Sequence, residues 1–178
     1  MGLGTDVGSG PGTKENQKIS KWAGRTCTKS GTGRKTATGR NTKHIGDLAE
    51  LDFMLQAAGH GFAIAKPFGD SEHYDIMVDA GGHIWRVQVK TANLYRNRTF
   101  AVRSHWSGYS HLVPYTPADI DFLAAFIRRY RIWYLIPARA IKNRFTLNLY
   151  PFGARRSAAH FEKYREAWHL LRVRGAAP

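Results

Sequence analysis

The chain has 178 residues, a formal net charge of +14 and a sequence pI near 10.3. That length suffices for one domain with a proper core, and the single cysteine, Cys27, excludes an intrachain disulfide and a cysteine-based zinc site. No apolar run approaches the roughly 18 to 20 residues of a membrane span, and the start lacks the apolar block of a secretory signal, so the expectation is a cytoplasmic, soluble protein with no membrane partner.

Such a basic balance favours a polyanion, because neutralising phosphates releases counterions from nucleic acid. The alternative is a solvated basic surface or a binder of membrane surfaces. Residues 1–43 hold nine Lys/Arg against two acids, and the rest hold eighteen against eleven, so the charge is not confined to one end. Gly, Thr, Ser and Lys dominate this first stretch without a sustained apolar period, and residues 1–42 read as a disordered basic tail. It serves either as an arm along a DNA backbone or as a dispensable leader, and Trp22 is its one candidate for docking.

Asn41 or Thr42 is placed to cap a helix that runs to about Ala58, where Gly59 and Gly61 end it. Leu48, Leu51, Leu55 and Ala58 recur at 3-4-3 spacing as its expected buried stripe. Glu50 lies about 100° from the centre of that stripe, on its flank, and Asp47 is the competing acid one turn earlier. A short strand over 61–65 follows, broken by Pro67 and Gly69. From 70 to 91 the sequence reads as a β-hairpin with Gly81-Gly82 as its two-residue loop. Ala80 then faces His83, and counting outward sets Asp75 against Gln88. One face carries Tyr74, Ile76 and Val78 against Val89, Val87 and Trp85; the other carries Asp75 and Met77 against Gln88 and Arg86, with Lys90 next along. A carboxylate, an amide and an ammonium on one face suit a divalent metal and a phosphate.

Asn97 to Trp106 reads as a strand in which Phe100 and Val102 alternate with Ala101 and Arg103. An irregular stretch to Pro117 carries Trp106, Tyr109, His111 and Tyr115, which either stack on nucleic acid or fill a secondary core. Residues 121–128 and 132–136 form a second hairpin around Arg128-Arg129-Tyr130-Arg131. A helical turn over 137–142, a last strand over 145–150 and a terminal amphipathic helix over 157–172, with Phe161, Tyr164, Trp168 and Leu171 as its stripe, complete the order. There is no internal repeat. The expected class is α/β (α+β), a mixed β-sheet core flanked by helices. Residues 43–172 would form this domain and 173–178 a tail.

Taken together, Glu50 on a helix and D-x12-Q-x-K at Asp75, Gln88 and Lys90 on a hairpin resemble the PD-(D/E)XK endonuclease superfamily. The closer likeness is to the branch with glutamine as the second acid, found in group I intron homing endonucleases and related bacterial endonuclease domains. Five stretches in order carry it: Lys43-His44-Ile45-Gly46-Asp47-Leu48-Ala49-Glu50; Pro67-Phe68-Gly69 before Tyr74-Asp75; Gln88-Val89-Lys90-Thr91; Pro114-Tyr115-Thr116 before Ile120-Asp121; and Trp133-Tyr134-Leu135-Ile136-Pro137. His73-Tyr74 stands where the superfamily name has proline.

The resemblance implies a restriction-endonuclease-like fold and a metal-dependent DNA endonuclease, homing- or restriction-like at a duplex site. It implies Mg2+, with Mn2+ able to substitute, and hydrolysis that leaves a 5′-phosphate. Asp75, Gln88 and the Val89 carbonyl would bind the metal, Glu50 directly or through water, while Lys90 holds or helps deprotonate the attacking water and offsets phosphate charge; an amide oxygen can ligate Mg2+ but brings no charge. Alternatives of the same fold are an inactive DNA-binding module and a structure-specific nuclease of the Holliday-junction type, and Asp75 with Lys90 could be an ordinary cross-strand ion pair. Arg96, Arg98, Arg103, Arg128, Arg129 and Arg131 are the candidates for contact with double-stranded DNA, by gripping phosphates or reading guanine edges, with Arg155-Arg156 a weaker pair. One site per chain cuts one strand, so a homo-oligomer, dimer or tetramer, is expected.

The tail makes a first test. Deleting residues 1–42 is expected to weaken binding to all DNA sequences alike and to flatten the dependence on salt. Gel shifts at several ionic strengths measure this; lost site preference with retained nonspecific affinity would contradict it.

Overall fold

The computed structural model describes residues 1–2, 38–69, 71–153 and 159–172, and for 38–41 the backbone alone. Most of the tail expected over 1–42, with Trp22, lies outside these residues, as do Arg155, Arg156 and 173–178. All the elements belong to one unit of the chain, Ala37–Pro178.

Helix α1 (Thr38–Gly59) leads into β1 (Ala63–Ala65), then β2 (Ile76–Asp79) and β3 (Ile84–Thr91). Asn41 and Thr42 are therefore inside the helix and not its cap. Gly81 and Gly82 both take positive φ, 75° and 97°, and the Ala80 N–H donates to the His83 carbonyl at 2.9 Å. The β2–β3 register is Ile76↔Val87 through Asp79↔Ile84, as the alternation of side chains requires. β4 (Asn93–Arg96) and β5 (Thr99–Arg103) form a further hairpin, followed by the paired short strands β6 (His105–Ser107) and β7 (Leu112–Pro114). The strand expected over 97–106 is thus split. Asn97 and Arg98 turn the chain with φ of 39° and 66°, the left-handed geometry that suits a two-residue hairpin loop. Last come β8 (Phe122–Ile127), β9 (Ile132–Pro137) and β10 (Thr146–Leu149).

The main sheet runs β1-β2-β3-β8-β9, with β3 and β8 parallel and the other pairs antiparallel. Both β8 and β9 are buried along their whole length, because each face of the sheet is covered. On one face α1 lays Ala49, Phe53 and Ala57 against Val78, Val87, Val89 and Phe126. On the other, a three-stranded sheet β10-β5-β4 contributes Phe100, Val102, Leu147 and Leu149 to a second core with Leu123, Ala125, Tyr134 and Ile136. The mixed α+β class stands, but among the described residues one α-helix flanks the sheet, and the other flank is itself β.

Two expected faces are corrected. Leu48, Leu51 and Leu55 are exposed at 43, 57 and 68%, whereas Ala49, Phe53 and Ala57 are at most 1% exposed. Both rows have helical spacing. The row with two alanines lets the helix come close to the sheet, and Phe53 then fits between Trp133 and Trp168, each 5.4 Å away between ring centroids.

The terminal α-helix is absent from the described part of 157–172. In its place are two 3-10 turns, Glu162–Tyr164 and Trp168–Leu171, separated by extended Arg165, which bridges to Tyr134 on edge strand β9. Phe161 and Tyr164 join one core, Trp168 and Leu171 the other, so the segment crosses the sheet edge. A straight helix could not serve both faces. Glu166 fixes the crossing: its backbone φ is 47°, and its carboxylate accepts the Trp133 N–H at 2.6 Å and the Trp168 indole N–H at 2.9 Å.

Phe53→Ala is expected to cost about 3–5 kcal/mol of unfolding free energy, while Leu51→Ser changes it by no more than about 0.5 kcal/mol. Urea denaturation distinguishes this burial from the leucine stripe, which would reverse the order.

Candidate active site

The β2–β3 ladder ends at Asp75, and its last bonds hold a carboxylate in place. The Asp75 N–H donates to the Val87 carbonyl at 3.0 Å. Its Oδ2 accepts the Val89 N–H at 2.8 Å and a short hydrogen bond from the Gln88 side-chain amide. The amide nitrogen is thereby committed to Asp75, so the amide oxygen is the atom of Gln88 left for a ligand. The nitrogen also lies 3.4 Å from the Val89 carbonyl oxygen. Gln88 is only 5% exposed, one of two buried polar residues among those described. Lys90 follows one strand alternation later on the same face, with no ion pair to a described residue.

Glu50 comes from α1 into the same cleft of about 1120 Å3, which Asp75, Gln88, Val89 and Lys90 also line. Its neighbour is a residue that the sequence did not single out. Lys66, just after β1, places Nζ 2.5 Å from Glu50 Oε2. Its hydrogen bond to Glu50 raises the Lys66 pKa. An isolated lysine in a loop carries no periodic signal; its position between a short strand and Pro67 was the only sign. Asp47, the competing acid, is exposed and does not line the cleft.

Burial pushes the Asp75 carboxyl up to about 6. The Val89 N–H opposes the rise, Glu50 adds to it, and Lys90 and Lys66 offset part of it. The negative charge is thus under-compensated, the condition that a cation relieves. Among the described residues no three His, Cys, Asp or Glu side chains cluster as metal ligands. The available set is two carboxylates, one amide oxygen and the Val89 carbonyl. All are hard oxygen donors, which fit Mg2+ or Mn2+ and do not fit a thiolate- or imidazole-seeking ion.

The arginines divide. Arg103 is exposed and lines the cleft. Arg96 and Arg98 sit at the exposed β4–β5 turn, the latter 4.4 Å from the centroid of the Phe152 ring. Arg128 and Arg129 lie in a 3-10 turn (Arg128–Tyr130) beyond β8, while Arg131 is held by Asp52 of α1 at 2.5 Å and ties that turn to the helix. Of the aromatics, Tyr115 is core at 3% exposure and Tyr109 is fully exposed. Trp106 stacks on His73 with centroids 4.3 Å apart. Arg86 clamps the loop before β8, reaching Asp121 through two nitrogens and the carbonyls of Pro117 and Ala118.

A raised carboxyl pKa has a sign that can be measured. The folded protein binds a proton on Asp75 more tightly than the unfolded chain, whose value is about 3.9. This group's contribution to stability therefore falls as pH rises from about 4 to 6 and stays low above that. In EDTA, Asp75→Asn is expected to raise the melting temperature at pH 8 by several degrees and to change it less at pH 4.5. An equal effect at both values would contradict the assignment.

A family model described as PD-(D/E)XK endonuclease matches residues 40–171. The fold is similar to the solved structure of a bacterial homing endonuclease, I-Ssp6803I, with 27% identity, a TM-score of 0.62 and coverage of 72% of this chain and 89% of that one. No curated protein matches the sequence.

Proposed function

The chain belongs to the PD-(D/E)XK endonuclease family, and from that premise we propose that it is a divalent-metal-dependent endonuclease acting on double-stranded DNA. The observation that carries this reading is the convergence of Asp75, Gln88 and Lys90 from one hairpin face with Glu50 from α1 in a single open cleft. The similar solved structure, a bacterial homing endonuclease, supports a duplex target.

Asp75, Glu50, the Gln88 amide oxygen and the Val89 carbonyl would hold the ion. When bound, a divalent ion polarises a phosphate and lowers the pKa of water. Gln88 and the Val89 N–H fix the Asp75 carboxylate so that its orientation does not depend on a flexible rotamer. Lys90 presents an ammonium beside Asp75, where it positions the attacking water and offsets the charge that builds on the phosphate oxygens. Lys66 holds Glu50 through an ion pair. Phosphate contacts would come from exposed Arg96 and Arg98 at the β4–β5 turn and from exposed Arg128 and Arg129 beyond β8; Arg131, tied to Asp52, contributes less. An inactive module is the weaker reading, because all four positions expected to act in catalysis keep groups able to do so. With one such site per chain, a double-strand break calls for at least a dimer, and a tetramer is compatible with it.

Asp75→Ala and Lys90→Ala are each expected to reduce Mg2+-dependent nicking of plasmid DNA at least 100-fold, on the order of an acid–base contribution, while gel shifts still detect binding. EDTA should abolish nicking by the unmodified protein. Full nicking by either variant would remove the proposed site.

A further inference from the structure

The chemistry leaves one polar surface of the cleft without a task, the outward face of the β10-β5-β4 sheet. Two of its strands, β5 and β10, alternate in burial, and β4 is exposed along its whole length. Phe100, Val102, Leu147 and Leu149 point into the second core, and the residues between them point out. The register sets Ala101 between Asn93 on one side and Asn148 on the other, with Arg103 beside Thr146 in the next row. All five line the same cleft as Asp75 and Lys90. β4, β5 and β10 contain no Asp or Glu at all, so nothing on this face repels a polyanion.

The face is also held firmly. Ser104, fully buried at the end of β5, donates through its hydroxyl to the Arg144 carbonyl at 2.5 Å and through its N–H to the Phe145 carbonyl at 3.0 Å. Its own carbonyl accepts the Tyr115 N–H at 3.0 Å. One residue thus links β5 to the approach to β10 and to the segment that follows β7.

The residue types are those that read base edges. Asparagine can pair through two bonds with adenine, arginine with guanine, threonine serves several bases, and alanine packs on the thymine methyl. Spacing agrees: outward side chains along one strand recur about every 6.7 Å, close to two base-pair steps of about 3.4 Å. β-ribbons enter the major groove of DNA in this way.

We propose that the outward face of β4, β5 and β10 reads sequence in the major groove, with Arg103, Asn93 and Asn148 as its base-contacting side chains. This rests on the endonuclease reading for its substrate. The polar sheet face adjoins the catalytic cleft, so the bases it reads lie within a few steps of the scissile phosphate.

Selection of bound duplexes from a randomised pool, with Ca2+ as the only divalent ion, tests the proposal. The full chain is expected to enrich a defined motif. Arg103→Lys keeps the charge but loses the planar fork, and should lower the preference for one guanine position by roughly 5- to 150-fold. Asn148→Ala should do the same at one adenine position, with the melting temperature unchanged in both. Enrichment of no motif by the full chain, or motifs in both variants identical to its own, would overturn the proposal. A nicking assay in Mg2+ runs beside it. An enriched motif without nicking would remove the endonuclease reading and leave the recognition face standing.

Discussion

A half-buried carboxylate at the end of a hairpin ladder is the constraint on which the rest depends. Asp75 lies where the β2–β3 pairing stops, and it is held by the Val89 N–H and the Gln88 amide. Two hydrogen bonds do not make up for lost hydration, and its pKa stays near 6. Burying an under-compensated charge is costly. That cost is tolerable where the group exists to meet a cation and a phosphate, and perturbed carboxyls concentrate at such places.

The other layers take their positions around this point. α1 approaches the sheet closely through Ala49, Phe53 and Ala57, and the close approach brings Glu50 into the cleft. Lys66 then neutralises Glu50, so the two acids do not repel one another unscreened. On the opposite face the small β10-β5-β4 sheet leaves its polar side toward the same opening. The terminal segment, wrapped across the edge of β9 and fixed by Glu166, closes both cores. The candidate active site and the proposed recognition face therefore line one cleft.

Where the sequence was legible, two signals agreed. Alternation of side chains and a Gly-Gly loop together set the Asp75, Gln88 and Lys90 face, and five family-like stretches pointed the same way. Where it misled, one pattern had two physical solutions. Leu48, Leu51 and Leu55 have the period of a buried stripe, as do Ala49, Phe53 and Ala57, and hydrophobicity alone prefers leucine. Interlayer distance decided for the small residues, and a sequence does not display that distance. Phe161, Tyr164, Trp168 and Leu171 are buried or packed against the cores as expected, but on two faces of a sheet, which no helical wheel represents. The Asn97-Arg98 turn was hidden because arginine is not a residue that announces positive φ. Lys66 was hidden because its partner is 16 residues away on another element.

Anomalous diffraction from crystals grown with Mn2+ tests the central claim most directly. The expected result is one strong peak within bonding distance of an Asp75 carboxylate oxygen and the Val89 carbonyl oxygen, with Glu50 turned toward it, or toward a water that it ligates, and away from Lys66. A peak elsewhere on the protein, with Asp75 still bonded only to Gln88 and Val89 and with the Glu50–Lys66 pair intact, would contradict it.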